Sequence, residues 1–196
     1  MTSKAEKTQQ FILEKAKSIF MEKGFSKVTM TDIVEACGIS RGGLYRYFKS
    51  TKDIFNSILK MNQPEESKGL EEGIGKKAPA TDLLAQFLQY EKQNLLREHA
   101  SLTTAVYEFY FEHKHELEQN WLQQQFNQAE EILATLVQYG IDQGEFQSNN
   151  PYEVARQFLF LMEGLRVSAE VMDLDEKIID GQFDLLKKQI AKREGQ

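Results

Sequence analysis

The run SRGGLYRYFKS, residues 40–50, gathers side chains suited to holding a polyanion. In a helix, Arg41 and Tyr45 stand one turn apart on one face, with Gly42 and Arg46 beside them. Leu44 and Phe48 share another, apolar face. A guanidinium such as that of Arg41 offers two parallel N–H donors that match O6 and N7 of guanine. Gly42 and Gly43 have no side chains, so the backbone can approach a ligand closely, at a cost of about 1 kcal/mol of helix propensity each. The hydroxyls of Tyr45 and Tyr47 and the ammonium groups of Lys49 and Lys52 suit phosphate oxygens, contacts that fix register rather than read sequence. Each of these residues taken singly reads as solvated surface. Their conjunction in one short segment points to double-stranded DNA.

Such a segment needs a rigid mount. Thr29 followed by Asp32 has the form of a capping box with Asp in place of Glu, and opens a helix whose apolar contacts are Ile33, Val34 and Ala36. Gly38 ends it, and Ser40 caps the next helix, expected to run to about Phe48. Two short helices around a glycine-containing turn form a helix-turn-helix, whose second helix enters the major groove. An earlier helix is expected from about Thr8 to Lys23, with Ile12, Ala16, Ile19 and Phe20 at helical spacing and Gly24 as its stop. A fourth is expected from Thr51 to Met61, capped by Ser50, with Ile54, Phe55, Ile58 and Leu59 on one face.

Charge separates this module from the rest. Residues 1–60 carry a net charge of +5, while residues 61–196 carry −11. A basic part can bind a polyanion while an acidic part stays soluble and is repelled by it. The 196 residues suit one domain, or a small domain fused to a larger one. The single cysteine excludes a disulfide framework within the chain and a Cys-rich zinc site, and Cys37 is expected in a small, partly buried apolar role. No run approaches the roughly 20 apolar residues of a membrane helix, and MTSKAEKTQQ lacks the apolar stretch of a signal peptide, so a cytoplasmic protein without membrane contact is expected. His113 and His115, with Glu112 and Glu116, lack the spacing of a metal site and read as a solvated charged turn. Without a phosphate loop, a nucleophile elbow or a His–carboxylate arrangement, no enzyme activity, cofactor or metal is expected.

Residues 62–80 hold two of the three prolines and read as a joint, with one weak turn at Leu70 and Ile74 and a break at Pro64. Helices then follow one another. Their faces carry Leu84, Phe87, Leu88 and Leu95; Leu102, Val106 and Phe109; and Leu122, Phe126, Ala129, Leu133 and Leu136, the last ending at Gly140 and Gly144. Asn150, Pro151 and Glu153 form a helix start, leading into Val154, Phe158, Leu161, Leu165 and Ser168. The last stripe is Ile179, Phe183, Leu186 and Ile190. No strand pattern or internal repeat is visible, so the fold class is all-α. The last two stripes suit packing across a two-fold axis, and Gly164, Ser168 and Ala169 would let helices approach closely; the same stripes equally serve an internal core.

The run VTMTDIVEACGISRGGLYRYFKSTKDIF, from Val28 to Phe55, resembles the N-terminal domain of TetR-family transcriptional regulators. Thr29, Asp32, Ile33, Gly38, Ser40, Gly42, Leu44, Tyr45, Tyr47, Phe48, Lys49 and Ser50 carry the likeness, which covers about the first third of the chain. Val34, Cys37, Gly43 and Thr51 depart from the pattern, and Lys52 stands one position after the family's usual lysine. The resemblance implies DNA contacts from Thr29, Ser40, Arg41, Gly42, Tyr45, Tyr47 and Lys49; Gly43, Arg46 and Lys52 are added from the segment's own chemistry. It implies an N-terminal three-helix helix-turn-helix domain, residues 1–50, and a helical regulatory domain, 51–196, that binds a small inducer and dimerises, with 51–62 as connecting helix. The function implied is a ligand-responsive repressor, a homodimer on a palindromic operator. The competing readings are a nonspecific DNA binder and a helical small-molecule-binding protein with an idle helix-turn-helix.

For the inducer, the candidate residues are Phe87, Tyr107, Glu108, Tyr110, Phe111, Trp121, Phe126, Phe158, Met162 and Glu163. Glu108 and Glu163 lie in apolar surroundings and need a partner: a cationic aromatic ligand, Arg166 at i+3 from Glu163, or solvent. Aromatics at this spacing also suit a core. For the dimer interface, the candidates are Phe158, Leu161, Leu165, Ser168, Ala169, Ile179, Phe183, Leu186 and Ile190.

Overall fold

The computed structural model describes residues 3–61, 66–96, 101–114 and 121–192. Pro64, His115 and Glu116 lie outside the described residues. Ten helices are present among the described residues, with no strand beyond an isolated bridge between Phe146 and Ala191. They are α1 (Lys4–Lys23), α2 (Met30–Cys37), α3 (Arg41–Tyr45), α4 (Thr51–Met61), α5 (Glu66–Gly75), α6 (Ala80–Leu95), α7 (Thr103–His113), α8 (Trp121–Asp142), α9 (Pro151–Ala169) and α10 (Glu176–Ile190). Two compact units result, one of residues 1–63 with 99–119 and the other of 64–98 with 120–196. The first unit therefore includes α7, which lies far along the chain.

In the first unit the helix starts are set by side-chain caps. α1 begins four residues before the expected Thr8, because Ser3 and Glu6 form a capping box: the Glu6 N–H donates to Ser3 Oγ (3.2 Å) and the Ser3 N–H to Glu6 Oε2 (2.6 Å). α2 starts at the expected cap, with the Asp32 N–H donating to Thr29 Oγ1 (3.2 Å) and the Thr29 N–H to Asp32 Oδ2 (2.8 Å). It ends at Gly38, in the left-handed region at φ 62°. α3 is shorter than expected. It stops at Tyr45, and Tyr47 and Phe48 both return their N–H groups to the Leu44 carbonyl in a turn. Ser50 caps α4 through the Asp53 N–H (3.1 Å).

The core of this unit is aromatic. Phe25 lies 4.9 Å from Phe109 and 5.2 Å from Phe55, ring centre to ring centre, and Phe20 lies 4.8 Å from Phe55. Leu44 and Phe48 are buried beneath α3, as their shared face requires. On α7 the buried residues are Ala105, Phe109 and Tyr110, so the face expected from Leu102, Val106 and Phe109 is rotated. Cys37 is buried, and burial pushes its thiol pKa up.

The second unit packs α5, α6, α8, α9 and α10 around one apolar core that includes Leu84, Leu136, Phe158, Met162 and Ile179. The expected joint holds a full ten-residue helix, α5, rather than one weak turn. Its stop is Lys77 at φ 56°, with Ala78 N–H donating to the Gly73 carbonyl (3.0 Å) and Lys77 N–H to that of Ile74 (2.9 Å). Pro79 gives α6 no side-chain cap. Glu145 supplies one from across the unit, accepting from the N–H groups of Ala80 and Thr81 (2.9 Å each) and from the Thr81 hydroxyl (2.9 Å). The hydrogen bond from the Thr81 N–H, ahead of the other contacts, holds the Glu145 carboxyl below the usual carboxylate range. α9 begins as expected, with Glu153 N–H donating to Asn150 Oδ1 (3.3 Å) and Pro151 in the first turn.

Gly140 lies inside α8 rather than at its end; Gly144, at φ 73°, closes the turn that follows. The Phe146 ring packs onto the Gly140 backbone so closely that no Cβ fits. Gly140→Ala is expected to destabilise the fold by about 1–3 kcal/mol through overpacking, despite alanine's better helix propensity. Chemical denaturation checks this, and an unchanged midpoint would contradict the packing account.

Candidate nucleic-acid interface

Arg41, Gly42, Tyr45 and Arg46 are all exposed along α3 and its end, Tyr45 at 51%. Their platform is locked at the base of α2. Asp32 Oδ1 accepts from Lys23 Nζ (2.8 Å) at the end of α1, while Oδ2 takes the Thr29 hydroxyl (2.6 Å) as well as its N–H. The Lys23 hydrogen bond first, then those from Thr29, hold the Asp32 carboxyl far below the usual range. The same contact raises Lys23. The Thr29 hydroxyl donates to Asp32 within the chain, so Thr29 caps α2. Ser40 differs: its Oγ accepts from the Gly43 N–H (3.1 Å) and its proton stays available for a phosphate.

Gly42 has nothing within 4 Å of where a Cβ would stand, whereas a Cβ at Gly43 would lie 3.2 Å from Ser40 Oγ. Gly43 therefore has a local reason to be glycine, the cap itself; Gly42 has none within the chain. Lys49 is exposed, and its N–H donates to Asp53 Oδ2 (3.1 Å). Tyr47 and Lys52 are half-buried. Thr31, which sequence reasoning passed over, accepts a hydrogen bond from Arg41 Nη2 (3.0 Å). The pair is ten residues apart on different helices, and no periodicity signals it.

The inducer candidates are divided between the two units. Tyr107, Glu108, Tyr110 and Phe111 belong to the first unit, and Phe87, Trp121, Phe126, Phe158, Met162 and Glu163 to the second. Tyr110 is buried against Phe109, their rings 5.4 Å apart, and Phe111 is 73% exposed. Glu108 has a partner within the first unit: its Oε2 accepts from the Ser26 N–H (2.9 Å) beside Gly24. His113 is not in a solvated turn either; it stacks on Phe109 at 4.7 Å, its Nδ1 3.0 Å from the Phe109 carbonyl oxygen. Phe158 and Met162 are enclosed in the second unit's core, and Phe126 packs against Phe160 at 5.2 Å. Trp121 Nε1 is buried without a hydrogen-bond partner among the described residues.

Glu163 takes the blander of its options, Arg166 at 2.9 Å. Arg166 also reaches Glu91 (2.8 Å), a carboxylate buried on α6 that sequence reasoning missed because it sits among polar neighbours. The dimer candidates Phe158, Leu165, Ile179, Phe183, Leu186 and Ile190 are buried within the chain, and Leu161 packs against the same core, so these stripes build the core instead of a free interface. Ser168 and Ala169 are half-buried. No group of His, Cys, Asp and Glu among the described residues is placed to hold a metal ion, and no helix among them is long and apolar enough to cross a membrane.

Because its folded carboxyl is depressed, Asp32 contributes stability that is present above its unfolded pKa, about 4, and lost as pH falls below it. The thermal midpoint should drop as the solution is taken below about pH 4, and Asp32→Asn should flatten that part of the profile while lowering stability at pH 7. Identical pH profiles for the two proteins would refute the lock.

Residues 12–58 match the family model described as bacterial regulatory proteins, tetR family, and residues 83–180 that of the tetracyclin repressor-like C-terminal domain. The uncharacterized HTH-type transcriptional regulator YfiR of Bacillus subtilis (strain 168) is 34% identical over 187 residues, spanning 90% of this chain and 86% of its own. The HTH-type transcriptional regulator QacR of Staphylococcus aureus is 26% identical over 172 residues, spanning 85% and 88%. These relatives are transcriptional regulators rather than enzymes. A transcriptional regulator from Saccharomonospora viridis, solved in complex with choline, shares the fold at TM-score 0.78 and 19% identity over 95% of this chain and 99% of that one. With both its parts matched, the chain belongs to the TetR family of bacterial regulatory proteins, transcriptional regulators that bind operator DNA as dimers and respond to small-molecule ligands.

Proposed function

We propose that this regulator represses transcription in the cytoplasm by occupying a palindromic operator through α3, with residues 1–50 as the reading domain, 51–62 as connecting helix and 51–196 as the regulatory domain. The observation that carries this reading is the exposed set Arg41, Gly42, Tyr45 and Arg46 along α3 and its end, held over a buried Leu44 and, in the turn that follows, a buried Phe48. Arg41 reads a guanine; Gly42 and Gly43 let the helix backbone lie close to the base edges. Ser40, Tyr45, Arg46, Tyr47, Lys49 and Lys52 hold phosphates. A small-molecule effector releases the operator by favouring a dimer whose reading heads no longer match half-sites about 34 Å apart, and it does so only through differential affinity for the two states.

For the dimer, the exposed apolar residues replace the buried stripes. Phe160 and Val167 on α9 are seven residues apart and 62% and 43% exposed; Ile178 and Leu185 on α10 are seven apart and 47% and 61% exposed. Gly164 and Gly181 lie between them with open space where a Cβ would stand. A two-fold helix packing needs such a stripe: apolar contacts at helical repeat and small residues that admit close approach. Leu185→Glu is expected to raise the dimer dissociation constant at least about tenfold with an unchanged helical spectrum, whereas Phe158→Ala unfolds the chain. Sedimentation equilibrium distinguishes the two, and a Leu185→Glu protein that remains fully dimeric would move the interface elsewhere.

The reading of DNA is tested by selecting bound fragments from a random pool at two salt concentrations. A palindrome is expected, relaxed at one symmetric position by Arg41→Ala. Gly42→Ala should keep or slightly raise stability, by up to about 1 kcal/mol, yet weaken operator binding. Binding confined to low salt, with no enriched motif, would favour the nonspecific alternative.

A further inference from the structure

Arg41 stands on the exposed rim of α3, where a long side chain ordinarily samples many rotamers. Its Nη2 instead donates to Thr31 Oγ1 at 3.0 Å, from the second residue of α2. Thr31 lies between Thr29 and Asp32, the two residues that close the capping box, and Asp32 is anchored to Lys23 of α1. The hydroxyl that receives Arg41 is therefore fixed in place by the best-bonded corner of the unit.

We propose that Thr31 is a positioning residue that sets the specificity of Arg41, holding its guanidinium across the α2–α3 turn in the orientation that meets a base. This rests on the reading of Arg41 as the base-contacting residue. One of the five guanidinium N–H donors is spent on Thr31, and the remaining four include a parallel pair for guanine. A preorganised arginine discriminates between bases more sharply than a mobile one, because a wrong base must then be met in a geometry that does not suit it.

The experiment compares the native protein, Thr31→Val, Thr31→Ser, Arg41→Ala and the Thr31→Val/Arg41→Ala double variant, each by selection from a random pool and by titration with the selected operator over a salt series. Thr31→Val keeps shape but removes the acceptor at an exposed site, and a thermal melt confirms its fold. Expected is a loss of about fivefold to tenfold in preference at the position that Arg41→Ala relaxes, with the salt slope unchanged. Thr31→Ser should restore the preference, and Thr31→Val should add nothing in the Arg41→Ala background. If Thr31→Val weakens every sequence equally and leaves the preference at that position intact, Thr31 is a phosphate ligand and the positioning role is overturned. If Arg41→Ala relaxes a position that Thr31→Val leaves intact, the positioning role alone fails. If Arg41→Ala leaves the motif unchanged, both it and the base-reading assignment fail.

Discussion

At Gly24 the backbone turns into φ 77° with the Glu108 carboxylate packed directly over it; a Cβ there would stand 2.6 Å from Oε2. Two demands meet at this residue, a positive φ that side chains resist and a space already filled by an acid from α7. The acid is used twice, since the same oxygen takes the Ser26 N–H at 2.9 Å. One residue on, Phe25 packs against both Phe55 of α4 and Phe109 of α7, whose rings also touch each other. The bend after α1 is thus where α1, α4 and α7 are joined, and α2 begins only four residues later at the Thr29 cap. The orientation of α3, and so of every candidate DNA contact, is inherited through α2 from this bend.

What could be read from the chain without coordinates follows the range of the interaction responsible. Caps act over three residues, so Thr29 with Asp32, Ser40, Ser50 and Asn150 are visible as local patterns and stand where expected. Ser3 with Glu6 is an equally local signal, and it starts α1 four residues before the Thr8 that the apolar stripe suggests. α5 was hidden because its stop is a lysine in the left-handed region, which carries none of the information a glycine would. Contacts that span the chain leave no periodic trace: Glu108 reaches Ser26 across 82 residues, Arg166 reaches Glu91 across 75, and Arg41 reaches Thr31 across ten. The heptad-like stripes of α9 and α10 were legible as apolar faces, but an apolar face serves a core or a partner equally well. Burial assigns those stripes to the core, and the exposed residues beside them become the surface to explain.

The second unit also shows how a charge is kept in an apolar setting. Glu91, at 1% exposure, is buried against Arg166, whose side chain stays 38% accessible and binds Glu163 with its other nitrogen. A buried carboxylate without a partner would be costly, so α6 is held to α9 by a contact that cannot be given up one side at a time. Lys92, on the same helix, bonds Asp180 (2.7 Å) and Glu176 (2.7 Å) of α10. Consecutive residues of α6 therefore engage two different helices by charge, which fixes the rotation of α6 more sharply than its leucines could, since leucines tolerate small shifts at little cost.

Two kinds of contact hold α7 in the first unit. α7 is bound into the first unit by a directional hydrogen bond and by aromatic packing at Phe109 and His113. The hydrogen bond weakens steeply with misalignment, whereas ring contacts slide. A shift of α7 along its axis would therefore break the Glu108–Ser26 bond before it emptied the core, leaving the first unit folded but its first bend released. A repressor needs that combination: a head that stays intact on or off its operator, with an orientation that depends on a contact small enough for the differential binding of a ligand to outweigh.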